Sequence, residues 1–434
     1  MSQIPEIEFR SAPEIRAVQE ARLQQLMAYV AQHSPFYQRL FSTHGVDAGS
    51  IRRIEDLVQL PRTSKDDLQQ YNWDFLCVPR SALAEYTSTS GTLGKPVTLA
   101  LTAADRTRLA YNEYISFCCA DGTPEDTYQL MLTLDRQFMA GIAYYEGIRQ
   151  LGAAVVRVGP GLPAMQWETI ERVRPTVLVG VPSFVVKLVE YAHAHGIDPA
   201  KTSVRKVICI GESLRTASFE LGVIGQKIRN VWDVALYSTY ASTEMQTAFT
   251  ECGAGQGGHH HPELLIVEIL DDAGQPVPDG TPGEVTITTL GVEGMPLVRY
   301  RTGDLAAAHT GPCSCGRTTL RLGPIVGRRQ QMIKLKGTTI YPPGIFELLN
   351  QLPAIQDYVV EALTGPLGTD ELRLHVLVKE AQQEETNQRL PAMFQATLRV
   401  VPEIRFVTAG ELEQLQFGKL DRKVRRFLDH RNNG

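Results

Sequence analysis

The chain has 434 residues, more than one ordinary compact core accommodates, so length alone points to two or three packing units. Hydrophobic residues make up 43% and charged residues 21%, which excludes a disordered chain, a collagen and a coiled coil. Lys+Arg 43 against Asp+Glu 48 leaves a net charge of −5, and without a basic surface neither nucleic acid nor an anionic membrane is an expected partner.

Residues 13–42 read as a helix, with Ile15, Val18, Leu23, Leu26, Met27 and Val30 near a 3.6 period. Thr63-Ser64 ahead of Asp66 and Asp67 starts a second helix over 63–70. The chain then alternates. Apolar runs at 129–134, 153–158, 176–180 and 206–210 read as strands, separated by helix-length segments at 138–151, 165–173, 183–195 and 213–229. That alternation predicts βαβ units and a largely parallel sheet. From about 262 onward, ELLIVEIL, a Gly- and Pro-rich turn and EVTITTL read as antiparallel strands. The last hundred residues mix strands (358–362, 372–378) with helices (345–352, 384–399, 420–430), a small α+β domain whose boundary falls near 327–331. The longest apolar run, 177–186, is broken by Gly180, Pro182 and Ser183, well short of the ~18–20 residues a membrane span needs. The N-terminal stretch mixes acids and bases without an apolar core, unlike a signal peptide. A cytoplasmic protein is expected. Seven cysteines, sparse and odd in number, indicate reduced thiols rather than a disulfide framework; Cys77, Cys118, Cys119 and Cys209 sit among apolar neighbours as small hydrophobes.

Several short segments carry chemistry. Thr87–Pro96, TSTSGTLGKP, packs five hydroxyls, two glycines and Lys95 into ten residues. Amides, hydroxyls and an ammonium so placed donate to phosphate oxygens, although the order is not that of a Walker A loop; alone the segment also fits a surface turn. Tyr240-Ala-Ser-Thr-Glu244 follows a strand and ends in an acid able to hold Mg²⁺. Tyr300-Arg-Thr-Gly-Asp304 places a carboxylate in a tight turn, fit for ribose hydroxyls or for capping its own backbone. Gly327-Arg328 and the basic tract around Lys419 complete the set. Cys252, His259-His-His261 and Cys313-Ser-Cys315 suit a tetrahedral Cys₃His zinc site of structural type; free thiols beside a polar histidine cluster are the competing reading.

In order and spacing these segments resemble the adenylate-forming superfamily of acyl-CoA synthetases, luciferases and nonribosomal adenylation domains, and within it the phenylacetate–CoA ligase branch. The resemblance runs from His33-Ser-Pro-Phe-Tyr37 and Arg62–Leu68 to the C-terminal basic tract. It implies a mixed α/β fold with a large N-terminal domain, 1–326, containing a small β subdomain, and a mobile α+β lid, 327–434, with the active site between them. It also implies two half-reactions, in which a carboxylic acid and ATP give acyl-AMP and pyrophosphate, and the acyl group then passes to coenzyme A. The site residues follow from the matched motifs. Ser90, Gly91, Thr92, Gly94 and Lys95 contact the phosphates. Gly211 and Glu212, with Val181-Pro-Ser183, flank the adenine and acyl pockets. Tyr240, Ala241 and Ser242 face adenine, Thr243 the α-phosphate, and Glu244 holds Mg²⁺. Asp304 and Arg328 hold ribose, Lys419 is the catalytic lysine, and Phe138, Met139, Ala140, Gly141 and Tyr144 line an acyl pocket suited to an aryl or arylacetic acid. Zinc, if bound, is structural. Leu93 and the hinge-position Gln330 depart from the family pattern. The expected partners are a small carboxylic acid and coenzyme A, or an acyl carrier protein, in a monomer or homodimer. A larger acid, as in coenzyme F390 synthetases, and a nucleotide-binding regulator without catalysis are the other readings.

Overall fold

The computed structural model describes residues 5–89, 97–335, 338–365, 370–417 and 424–431. The chain divides into two compact units, one running through Pro324 and the other beginning at Ile325. In the first unit the helix expected over 13–42 is two, Ala12–His33 and Pro35–His44. Pro35 lacks an N–H and holds Ser34 extended at φ −95, ψ 113, and Ser34 Oγ then caps the second helix by accepting from Tyr37 N.

The predicted parallel sheet is present. Ala154–Arg157, Thr127–Leu130, Val177–Gly180, Lys206–Ile210 and Ala235–Ser242 lie side by side in that order, all parallel. Thr247–Glu251, Gly258–His259, Arg321–Leu322 and Ala308–His309 extend the sheet antiparallel. Alternate residues sort to opposite faces. Val177, Val179, Ile208, Ile210 and Tyr237 pack on Ala103–Cys119 and Met139–Leu151 through Phe117, Tyr144 and Ile148. Leu178, Val207, Cys209 and Leu236 pack on the opposite layer through Trp167, Leu188 and Ile228. The four cysteines read as small hydrophobes are all buried. The helix expected over 213–229 exists only as Val223–Arg229. Before it, Gly211 at φ +76 turns the chain, and Arg215 pairs with Glu251 at 2.9 Å and donates to Phe219 O. These side-chain bonds hold 211–222 as a loop.

A second sheet is antiparallel, Leu265–Leu270 with Gly283–Thr289 and then Tyr300–Ala306. The N-terminal segments brace the strand that carries Asp304. Thr63 N donates to Arg299 O at 3.1 Å, and Arg301 N donates to Thr63 O at 2.8 Å. Tyr37 Oη accepts from Val298 N at 2.8 Å. The hairpin Leu83–Ser88 with Thr98–Thr102 is closed by Thr89 N to Val97 O and Val97 N to Thr89 Oγ1, both 3.0 Å.

In the second unit Ile355–Thr364 and Asp370–Val378 pair antiparallel, with Glu403–Phe406 and Phe427–Asp429 parallel at the two edges. Ile345, Leu349, Val360, Leu374, Leu390 and Phe394 form its core with the flanking helices. The helix expected over 420–430 is not found at 424–430. Val360 N donates to Arg426 O and His430 N to Ala362 O, each at 2.9 Å, so the sheet takes these backbone groups. Arg426 lies over the Tyr358 ring, 5.1 Å from its centroid. Among the described residues no helix is long and apolar enough to cross a membrane.

Candidate active site and thiol cluster

Two of the motifs meet. Tyr240 Oη donates to Asp304 Oδ2 at 2.8 Å, joining the last residues of a strand in the large sheet to a strand of the small one. Asp304 is 5% exposed, and its own N–H donates to Thr302 Oγ1 at 3.1 Å. Ala241 and Ser242 pair with Ala248 and Thr247 across the hairpin, and Met245 N donates to Ser242 Oγ, which tightens the turn carrying Thr243 and Glu244. Glu244 is half-buried and has no hydrogen-bond or ion-pair partner among the described residues. A carboxylate held ready without a partner suits a hard divalent cation. Nearby Tyr300 is buried, and burial pushes its phenol well above the usual value, with the charges of Glu244 and Asp304 adding to the effect.

Arg108, which no local pattern signals, positions this turn from below. Its guanidinium donates to Gln246 O at 2.7 Å, Thr247 Oγ1 at 3.1 Å, Leu264 O at 2.6 Å and Leu290 O at 2.8 Å. Burial lowers it to about 10, still a cation at neutral pH. Glu212 is likewise engaged. Ser183 N and Ser183 Oγ both donate to its carboxylate at 2.9 Å, so Glu212 caps the helix Pro182–Ala194 and ties it to the loop after Gly211.

The expected acyl residues gather at one helix start. Phe138 is the N-cap of Met139–Leu151. Phe138, Ala140 and Tyr144 pack with Ile208 and Ile210. Gly141 is obligatory there, since a Cβ would fall 2.3 Å from Thr133 O. Arg328 is exposed, on the two-residue strand Gly327–Arg328 of the second unit. Gln330 lies in the short 3₁₀ turn Arg329–Gln331. Ser90, Gly91, Thr92, Gly94 and Lys95, like Leu93 and Lys419, lie outside the described residues.

The thiols converge as expected. One donor atom from each of Cys252, His259, Cys313 and Cys315 lies within 4.8 Å of the others. Cys252 Sγ is 3.6 Å from Cys313 Sγ, and Cys315 Sγ is 3.5 Å from His259 Nε2. Ligands about 2.3 Å from a tetrahedral zinc stand roughly 3.7 Å apart, so the spacing fits. The other ring nitrogen, His259 Nδ1, meets Thr319 Oγ1 at 3.0 Å, which leaves Nε2 for a metal. Burial lowers His259 to about 3 and so keeps it neutral. Burial alone raises Cys315, but hydrogen bonds from the Arg317 backbone and side chain outweigh it and hold the thiol below its ordinary value. The neighbouring histidines are committed elsewhere. His260 Nε2 is 2.6 Å from Leu265 O. His261 bonds Glu8 at 2.8 Å and Ser116 at 3.1 Å. Glu8, fully buried, also pairs with Arg317 at 2.6 Å.

Residues 40–294 match the AMP-binding enzyme family. The chain belongs to that family. A phenylacetate-coenzyme A ligase of Thermus thermophilus is 31% identical across 98% of this chain and 99% of its own length. Another, of Aromatoleum evansii, is 26% identical across 97% and 96%. The solved structure of 2-hydroxyisobutyryl-CoA ligase in the postadenylation state, in complex with 2-HIB-AMP, matches with a TM-score of 0.85 at 25% identity, covering 99% of this chain and 92% of that one. The mixed α/β class expected from the sequence is thus the architecture of an AMP-binding enzyme, and the Tyr240–Asp304 pair sits where two of this member's sheets meet.

Proposed function

We propose that the protein is an ATP-dependent carboxylic acid–CoA ligase. A carboxylate oxygen of the acid attacks the α-phosphorus of ATP, and the bond to pyrophosphate breaks. The coenzyme A thiolate then attacks the acyl carbon, its proton having passed to solvent, and the bond to AMP breaks. No protein nucleophile is needed; positioning and charge neutralisation do the work. In this reading Tyr240 packs on adenine, Asp304 and Arg328 hold ribose, and Thr243 contacts the α-phosphate. Ser90, Thr92 and Lys95 take the outer phosphates, and Lys419 lies between carboxylate and α-phosphate. Magnesium, held by Glu244, would supply charge neutralisation for the departing pyrophosphate. The observation that carries the reading is the 2.8 Å bond from Tyr240 to Asp304, beside Glu244, which has no hydrogen-bond or ion-pair partner among the described residues. It joins two motifs 64 residues apart into one polar surface.

Phe138, Met139, Ala140, Gly141 and Tyr144 supply the acyl side, and their aromatic character favours an aryl or arylacetic acid. The Cys252, His259, Cys313 and Cys315 cluster would hold a structural zinc, since these four side chains supply a full tetrahedral donor set. The protein works in the cytoplasm, where such thiols stay reduced. ATP–pyrophosphate exchange over a panel of aryl, arylacetic and short hydroxy acids tests the reading. Exchange with at least one acid, followed by coenzyme A-dependent release of AMP, is expected. Exchange with no acid would leave a nucleotide-binding regulator, and exchange without coenzyme A turnover would point to a carrier protein as acceptor.

A further inference from the structure

A carboxyl group is buried in the layer behind the site. Glu113 lies on the helix Ala103–Cys119 and is 5% exposed. It faces Met139–Leu151 so closely that a Cβ on Gly147 would fall 2.4 Å from Glu113 Cβ. Asn112 Nδ2 donates to Glu113 Oε1 at 3.0 Å, while Asn112 Oδ1 accepts from Ala248 N. No cation faces Glu113 among the described residues, and burial pushes its carboxyl up to about 8, with only the Asn112 bond opposing. A buried acid without a charged partner is costly for the fold, and such groups gather at functional sites.

Glu113 also lines a cavity, with Ser116, Tyr144, Ile208, Thr239 and Thr250. Tyr144 belongs to the acyl-side set, and Thr239 directly precedes Tyr240. The hydroxyls are already engaged: Ser116 Oγ with His261 Nε2 at 3.1 Å, Thr239 Oγ1 with Thr250 Oγ1 at 3.1 Å. The Glu113 carboxyl, with two oxygens and one donor from Asn112, retains accepting capacity. The cavity is small, with room for one small polar group.

We propose that Glu113 is a specificity residue for the acid: the far end of the acyl group carries a hydroxyl or amino group that donates to the Glu113 carboxyl. This rests on the ligase reading above. Sites that hydrogen-bond a substrate group reject the analogue lacking it far more strongly than sites that merely enclose it. The test measures kcat/KM in ATP–pyrophosphate exchange for phenylacetate and for its hydroxy- and amino-substituted forms, in wild type, Glu113→Gln and Glu113→Leu. Wild type should favour a donor-bearing acid by about tenfold or more. Glu113→Leu should bring that ratio near one, and Glu113→Gln, which still accepts, should keep part of it for the hydroxy acid. A ratio unchanged in both variants, or both acids falling together, overturns the assignment. Should the leucine variant fail to fold, Glu113→Gln decides: the preference should fall to a part of the wild-type ratio for the hydroxy- and amino-substituted acids alike, and a ratio unchanged in Glu113→Gln overturns the assignment. Exchange with phenylacetate and no gain from any donor overturns the Glu113 inference alone; exchange with no acid removes the ligase reading, and the inference with it.

Discussion

The turn at Glu244 and the thiol cluster at Cys252 stand at opposite ends of one hairpin, Ala235–Ser242 with Thr247–Glu251, and they are built in opposite ways. At the turn Thr243 and Glu244 are half-buried, and Glu244 has no hydrogen-bond or ion-pair partner among the described residues. At the other end four donors close on one another within 4.8 Å, and the groups behind them are in turn bonded, His259 to Thr319 and Arg317 to Glu8. Donors left open serve a guest that arrives and leaves; donors that complete a tetrahedron among themselves serve the fold. In the proposed reading, catalysis and stability thus fall at opposite ends of one hairpin.

Substitutions should respect that division. Lys419→Ala should have the largest effect, a loss of about 10²–10³ in adenylation, while turnover of supplied acyl-adenylate with coenzyme A stays within about tenfold. Lys423→Ala should remain near wild type in both; equal losses for the two lysines in adenylation would return Lys419 to an ordinary basic tract. Glu244→Gln should reduce Mg·ATP-dependent exchange by about 10² and move the melting temperature little; a fall above about 5 °C with full activity would make it a structural acid. At the opposite end the signature should invert. Cys313→Ser, or gentle chelation, should remove about one zinc per chain and lower the melting temperature by several degrees or more, with exchange at low temperature largely kept. Elemental analysis finding less than about 0.2 zinc per chain in untreated protein would end the metal assignment. The smallest effect is expected for Tyr240→Phe. Deleting a hydrogen bond to a carboxylate is worth about tenfold, read as a raised KM for ATP, and an unchanged KM would detach the Tyr240–Asp304 bond from nucleotide binding.

Much of the architecture was legible because buried strands announce themselves locally. The runs at 176–180 and 206–210 became strands nearly as read, and the thiols and His259 converge as their types suggested. What escaped depended on distant partners. The basic stretch at 424–430 has helix-like composition, but its backbone is claimed by Val360 and Ala362. Residues 211–222 are held open by an arginine reaching Glu251, 36 positions away. Arg108 and Glu113 look like the polar face of an amphipathic helix; only the fold reveals that this face is inside, with Arg108 bonded to carbonyls up to 182 residues distant. Ser34-Pro35 was the exception, a local stop signal that the apolar periodicity on either side concealed.

The burial of Glu8 has a practical consequence for handling the protein. This carboxylate is the shared counter-ion of Arg317 and the partner of His261, and Thr318 N donates to the Glu8 carbonyl at 2.9 Å. The first few described residues are therefore a plug in the wall of the thiol cluster. Trimming the chain past Glu8 would strand the Arg317 guanidinium in a dry interior beside Cys315, where an uncompensated charge is expensive. Such a truncation would be felt at the far side of the sequence, as loosening of the 313–319 loop, with Tyr240, Glu244 and Asp304 left in place.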